Sequence, residues 1–428
     1  MKNKLSIGII GLGYVGLPLF LEFSKKFKVK GFDLSKKKIE LLKKKIDYTN
    51  QYTNKDLKKI SNKDIDHKSN ILKDCNFFIV TVPTPVTKNK LPDLSAVVSA
   101  TKIICKYLKK NDYVIYESTF YPGVTEDVCV KTIERETKLI GINEKNEKKN
   151  FDGFYYGYSP ERINPGDLKH GIKDVIKITS GSTNSSAKFI DSIYKKICLA
   201  GTHKVDSIKI AESAKVIENT QRDINIALIN EFAQIFSKMS INIYDVLRAA
   251  KTKWNFLDFR PGLVGGHCIG VDPYYLVYKS ETLGYSPKVI SSGRQVNDSM
   301  GEFVAKKSIR LLNINNYVIK ESKVIIMGAT YKENSPDTRN TKIPDIYNYL
   351  IKNGINTSVY DPIADKESFE KKYGIELISE IDRYDLIILA VPHSLFKEID
   401  LNTIKKDDSS ILFDLKGFYP KNLSNARL

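Results

Sequence analysis

The fold class predicted for this 428-residue chain is α/β: two Rossmann-like doubly wound domains joined by a long central helix and a helical middle domain. Three observations predict it. Short β-branched and aromatic runs alternate with helical patterns near the N-terminus, the same order of runs returns after about Asn315, and one long amphipathic stretch separates the two blocks. The length alone asks for two or three packed cores.

In the first block Ser6 to Ile10, Val29 to Asp33, Phe77 to Val82 and Tyr113 to Glu117 read as strands of a parallel sheet. From Ser207 to Lys238, Ile210, Ala214, Ile217, Ile224, Leu228 and Phe232 recur at helical spacing. A helix of that length, roughly 48 Å at 1.5 Å per residue, suits a domain connector or a partner chain better than a sheet cover. In the second block the strands are Lys323 to Met327, Thr357 to Tyr360, Leu386 to Val391 and Ile411 to Leu415. The echo is specific: Ser6 to Gly11 resembles Lys323 to Gly328, Gly31-Phe32-Asp33 resembles Val359-Tyr360-Asp361, and Phe78 to Pro83 resembles Ile387 to Pro392. The expected domains are therefore 1–200, 201–314 and 315–428.

Composition narrows the class. At 42% hydrophobic and 28% charged, with no run of eighteen apolar residues, the chain predicts a globular protein without a membrane partner. The apolar Leu5 to Ile10 runs straight into glycines, so it is a strand and not a signal peptide. A net charge of +18 raises nucleic acid as a partner, but only ten of the 68 basic residues are Arg. Dispersed lysines without interleaved aromatics predict a solvated surface and no nucleic-acid groove. Five cysteines (Cys75, Cys105, Cys129, Cys198 and Cys268) form neither a disulfide framework nor a zinc pattern, which fits a reducing cytoplasm. Four lie in apolar or helical contexts and read as core; Cys268 lies among glycines. His67, His170, His203 and His393 have no metal spacing, and no metal is expected.

Gly11-Leu12-Gly13-Tyr14-Val15-Gly16 follows the first strand directly and opens a helical pattern, and Asp33 ends the second strand. The first glycine permits the tight turn, the second the approach of a pyrophosphate, and the third close helix–strand packing. An acid at Asp33 hydrogen-bonds a ribose diol and repels a 2′-phosphate, so the expected cofactor is NAD. The second block keeps Gly328 without the other glycines, and no second NAD is expected there.

The chemical candidate is Arg260 to Pro273, where four glycines surround Cys268 and Asp272 follows four positions on. Such a loop lets backbone close on a ligand and leaves a thiol reachable, though by itself it reads equally as a structural turn. Lys215 and Asn219 share a helix face, though taken alone Lys215 reads as a solvated surface lysine. Unaided, Glu161 reads as an ion pair and Asp272 as a turn residue before proline.

Six further motifs change that balance. Val-Pro-Thr-Pro (82–85), Glu-Ser-Thr (117–119), Tyr-Ser-Pro-Glu-Arg (158–162), Ala-Lys-Val-Ile-Glu-Asn (214–219), Gly-Gly-His-Cys (265–268) and Lys-Glu-Asn-Ser-Pro-Asp-Thr-Arg (332–339) occur in order with the glycine loop. With them the chain resembles, end to end, the UDP-glucose/GDP-mannose dehydrogenase family. Residues 158–166 and 259–275 are most similar to the branch acting on UDP-N-acetylhexosamines for capsule, Vi-type or O-antigen polysaccharides. His267 stands where the UDP-glucose branch has Ser, which weakens the case for glucose as the sugar.

The resemblance implies oxidation of the sugar C6 alcohol to a carboxylate in two hydride transfers to NAD, through a thiohemiacetal and a thioester on Cys268. It implies Lys215 and Asn219 as oxyanion stabilisers, Glu161 with Thr119 as acid/base for the hydrolytic water, and Asp272 as an aid to proton transfer near the sulfur. NAD contacts are implied at Gly11 to Gly16, Asp33, Pro83, Thr84, Thr119 and Arg339. UDP-sugar contacts are implied at Glu161, Arg162, Ile163, Lys215, Asn219, Arg260, Gly265, Gly266, His267 and Lys332. Arg260 reads as a diphosphate clamp that reaches across a homodimer interface. Adjacent residues of an extended loop point to opposite sides, so His267 is expected to be loop structure or a substrate contact and not the base for Cys268. The other readings are a UDP-glucose dehydrogenase, an enzyme stopping at an aldehyde or ketone, and an inactive basic binding module.

Overall fold

The computed structural model describes residues 5–49, 51–149, 151–162, 171–266 and 269–428. The chain forms two compact units, one of residues 1–218 with 274–283, the other of residues 219–273 with 284–428.

The first unit is built on a seven-stranded sheet: β1 (Ser6–Ile10), β2 (Lys28–Phe32), β3 (Ile65–Asp66), β4 (Phe77–Val80), β5 (Tyr113–Tyr116), β6 (Ile140–Gly141) and β7 (Gly153–Tyr158). Its order is β3-β2-β1-β4-β5-β7-β6, and every pairing is parallel. Both faces are covered, so its strands read as continuous apolar runs. Ile7, Ile9, Phe77 and Ile79 enter one core, while Ile10, Phe78, Val80 and Val114 enter the other. A small parallel pair, β8 (Lys177–Thr179) and β9 (Thr202–Lys204), completes this unit.

The second unit repeats the plan with six parallel strands: β10 (Lys323–Met327), β11 (Asn356–Tyr360), β12 (Leu377–Ile378), β13 (Leu386–Leu389), β14 (Ile411–Asp414) and β15 (Ala426–Arg427). The order β12-β11-β10-β13-β14-β15 again reverses direction beside its first strand. In both sheets that reversal opens a crevice at the carboxyl ends of the strands, where ligands of such folds bind. The doubly wound expectation holds in both blocks. Several expected strands end one or two residues early, at Val80, Tyr116, Leu389 and Asp414, because the chain leaves the ladder to form the crevice loops.

The long helix is Ile208–Lys238, one residue shorter than expected. Ile210, Ile217, Leu228, Phe232 and Ile235 are exposed on its outer side, while Ala211, Val216, Ala227, Ile229 and Ala233 are buried. Glu212, Lys215, Asn219, Asp223 and Asn230, also at helical spacing, are buried. No helix among the described residues is long and apolar enough to cross a membrane.

Candidate active site

The glycine loop does what its residue types require. Gly11 has φ +93°, a left-handed conformation that admits glycine readily, and its N–H bonds Phe32 O at 2.8 Å. A Cβ on Gly16 would lie 1.8 Å from Gly11 O, whereas one on Gly13 would meet no atom within 4 Å. That open space is wide enough to admit a pyrophosphate. No described side chain caps the helix Gly16–Ser24, and Leu17 N–H bonds Gly13 O at 3.1 Å, so what this helix start offers an anion is chiefly its dipole. Asp33 is aimed by two backbone donors, Leu12 N–H to Oδ2 at 3.0 Å and Ser35 N–H to Oδ1 at 2.9 Å. Tyr48 closes the loop by donating to Leu12 O, and Thr81 Oγ1 lies 2.6 Å from Gly11 O. These residues fit NAD.

Beside this cradle, Ser118 Oγ donates to Val82 O at 2.6 Å and ties the Pro83–Thr84 turn to the segment carrying Thr119. Thr84 is buried, Thr119 half-buried and Pro83 exposed. The Glu161 segment of the same unit is pinned residue by residue. Lys177 Nζ bonds Pro160 O at 2.9 Å, Lys215 Nζ bonds Glu161 O at 2.6 Å, and Arg162 reaches Ile176 O at 3.1 Å and Glu218 at 2.9 Å. Lys215 is thus buried and engaged, not solvated. Glu161 is buried also.

In the second unit Asn219 Nδ2 donates to Asp272 Oδ2 at 2.5 Å, and both side chains are buried. Asp272 opens the helix Asp272–Thr282, where an acid complements the helix dipole. Ile163, His267 and Cys268 lie outside the described residues. The glycines leading to Cys268 have a use that sequence reasoning assigned otherwise. A Cβ on Gly265 would meet Asn340 O at 2.6 Å, and one on Gly266 would meet the Tyr331 ring at 2.6 Å. They close on protein backbone and an aromatic ring, so their side-chain directions are not open to a ligand. Gly266 N–H also bonds Arg339 O at 3.0 Å, coupling this loop to the 329–340 segment. Lys332 belongs to that segment and accepts from Thr330 Oγ1 through its carbonyl. Arg339 forks onto Asp337 at 2.5 to 3.0 Å, and Arg260 pairs with Asp258 at 2.8 Å while half exposed.

Three groups escaped sequence reasoning. Asn230 holds Gly262 by its amide in both directions, 2.8 Å from its N–H and 3.0 Å from its carbonyl, and is itself backed by Asn297 at 2.8 Å. Asp223 accepts from Arg294 at 2.6 Å and from Asn297 at 2.7 Å. His393, fully buried, sits 2.9 Å from Asp361 and accepts Asn334 N–H at Nδ1 at 2.9 Å. Only the polar residues at helical spacing along the long helix hinted at the first two.

The remaining thiols are inert. Burial pushes Cys75 and Cys105 up to about 11 and Cys198 to about 12, and raises Cys129 as well, so none is a thiolate at neutral pH. Cys105 is half-buried, not core as expected, because it ends its helix. No metal-ligating cluster occurs among the described residues.

A doubly wound unit with this cradle defines an NAD-dependent dehydrogenase. The chain belongs to the UDP-glucose/GDP-mannose dehydrogenase family: the family's NAD binding domain matches residues 5–198, its central domain residues 209–299, and its UDP binding domain residues 325–421. It is 47% identical over 430 residues to a UDP-N-acetyl-D-glucosamine 6-dehydrogenase of Salmonella typhi, covering 100% of this chain and 99% of the relative. It is 48% identical over 432 residues to the protein of that name from Pseudomonas aeruginosa, covering both completely. Among solved structures it is similar to a UDP-D-ManNAc dehydrogenase from Pyrococcus horikoshii, at 27% identity and a TM-score of 0.84 over 97% of this chain and 96% of that one.

Proposed function

We propose that the chain oxidises the C6 alcohol of a UDP-N-acetylhexosamine, UDP-N-acetylglucosamine or its galacto epimer, to the uronic acid for surface polysaccharide synthesis. NAD, held at the glycine loop and Asp33, would supply the hydride acceptor for both oxidations, one NAD and one released proton for each. The chain's residues do the rest. Cys268 Sγ adds to the C6 aldehyde; loss of the second hydride leaves a thioester, and water then displaces the thiolate. Sulfur serves because it is both nucleophile and leaving group. Lys215 and Asn219 stabilise the alkoxide and the thiohemiacetal oxyanion, Glu161 with Thr119 manages the proton of the hydrolytic water, and Asp272 assists at the sulfur. Arg162, Ile163, Arg260, Gly265, Gly266, His267 and Lys332 contact the UDP-sugar, the two glycines through their backbone, and Arg339 contacts NAD.

The observation that carries this reading is the pair of bonds made from neighbouring turns of one helix. Lys215 reaches the Glu161 backbone and Asn219 reaches Asp272, so each partners a segment assigned to the same chemistry. The names of the two bacterial relatives support the N-acetylhexosamine. The domain division follows as 1–200 for NAD, 201–314 for the helical middle and 315–428 for the UDP-sugar. The exposed stripe of Leu228, Phe232, Ile235 and Met239, at spacings of four, three and four, supports a homodimer, and free thiols with NAD chemistry support the cytoplasm.

Assays of UDP-N-acetylglucosamine, UDP-N-acetylgalactosamine and UDP-glucose side by side test the substrate, with two NADH per uronate expected. One NADH per sugar, or normal uronate formation by Cys268→Ala, overturns the mechanism. Sedimentation as a monomer at micromolar concentration overturns the dimer.

A further inference from the structure

Two successive carbonyls of the Glu161 segment are each held by a different buried ammonium. Lys215 takes Glu161 O; Lys177, from β8, takes Pro160 O. Fixing both peptide planes fixes the direction of the intervening Cα–Cβ bond, which is the one that aims the Glu161 carboxyl.

Lys177 is costly to keep. It is 2% exposed, 2.5 Å from Glu117 Oε2, and Glu117, 1% exposed, also accepts from the hydroxyl of fully buried Tyr194. The Lys177 ammonium faces the Tyr194 ring at 5.6 Å from its centroid. A well-packed apolar pair would hold these elements together as well or better, because desolvating two charges offsets most of their attraction. A charged pair is needed where a strong donor must be presented to a carbonyl that no strand partner satisfies. Burial works against ionisation of both groups, yet Lys177 is held above its ordinary value by Glu117 and by the charge of Glu161, and Glu161 likewise raises Glu117. The Glu161 carboxyl is therefore within electrostatic reach of the pair.

We propose that Glu117, Lys177 and Tyr194 are positioning residues for Glu161: they set its backbone and touch neither substrate nor cofactor. The inference rests on Glu161 serving the hydrolytic step as read above. A misplacement of about 1 Å costs on the order of 100-fold in rate, so freeing this backbone should slow thioester hydrolysis by about that factor.

The test compares Glu161→Gln with the double variant Glu117→Gln/Lys177→Met, which removes both charges and strands neither. Expected for both is a fall of about 100-fold in kcat with KM for the UDP-sugar falling alongside it, as breakdown of the covalent intermediate becomes limiting, an unchanged Kd for NAD, and an acyl-enzyme that accumulates by intact mass after mixing. Should the double variant not fold, Tyr194→Phe removes one hydroxyl and keeps the ring, and is expected to fall about 10-fold in kcat with the same acyl-enzyme signature. If Glu161→Gln traps acyl-enzyme while the variants of the pair or of Tyr194 turn over normally, the positioning role is overturned and the role of Glu161 stands. If Glu161→Gln itself turns over normally, the reading of Glu161 falls and the inference with it.

Discussion

The two doubly wound units begin alike and diverge at one point. In each, a glycine with φ near +93° ends the first strand (Gly11 and Gly328) and donates to the neighbouring strand at 2.8 Å. In each, the next N–H bonds the acid that ends the second strand, Leu12 to Asp33 at 3.0 Å and Ala329 to Asp361 at 2.6 Å. Then the first unit turns straight into the helix Gly16–Ser24, while the second runs through a loop until Ile343–Lys352 begins. Asp361, moreover, faces His393. Because Nδ1 of that imidazole accepts Asn334 N–H, its proton is on Nε2 and points at Asp361. The same strand, glycine and acid thus fit a ligand in one unit and hold the protein's own loop in the other. What differs is that a buried imidazole covers the acid of the second unit.

The largest effect that tests this contrast is at Gly16. A side chain there collides with Gly11 O, so Gly16→Val is expected to abolish NAD binding and cost about 3 kcal/mol or more in denaturant unfolding. The corresponding residue of the second unit is Glu333, which is exposed, and Glu333→Val is expected to stay within about 0.5 kcal/mol of wild type. Comparable losses would mean that the units do not differ as described. Next is His393→Leu, which strips the buried Asp361 of its imidazole and is expected to cost about 3 kcal/mol while leaving the Kd for NAD alone. Weakened NAD binding in that variant would contradict the assignment of NAD to the first unit. Asp33→Ala is expected to raise the Kd for NAD about 10- to 100-fold, or about 1.4 to 2.7 kcal/mol, by titration. An unchanged Kd would remove Asp33 from the ribose.

The smallest effect concerns pH. Burial raises Glu212 to about 7, although Gly123 N–H and Thr125 donate to it. The folded protein therefore binds this proton more tightly than the unfolded chain: the stabilisation is complete below about 4.5 and is lost as pH rises through about 7, about 2 kcal/mol of it between pH 5 and 7.5. Asp361 has the opposite sign. Burial would raise it, but hydrogen bonds from His393, Ala329 and Ile363 hold it below its usual value, so its contribution is lost as pH falls. Glu212→Gln is expected to flatten the decline of Tm between pH 5 and 7.5, and a slope unchanged by the substitution would show that another group carries it.

Much of this was legible because it is encoded in short spacings. Apolar runs gave both sheets, and the positions of Gly11, Gly13, Gly16 and Asp33 gave the cradle, since backbone conformation and close approach are properties of a few neighbouring residues. Gly265 and Gly266 were legible as glycines but not in their use, because what lies over them is Tyr331, far along the chain.

The sequence by itself determined two parallel doubly wound sheets, a long helix between them in the chain, and a glycine loop fit for NAD after the first strand. Only the tertiary structure decided which side of that helix is inward. Ile217, Leu228 and Phe232 of the expected stripe face out, and polar residues are buried beside Val216 and Ile229 because partners many residues distant, Gly123 for Glu212, Glu161 for Lys215 and Asp272 for Asn219, satisfy them. Periodicity reports that a helix has two faces. Which one is buried depends on long-range hydrogen bonds that no local spacing records.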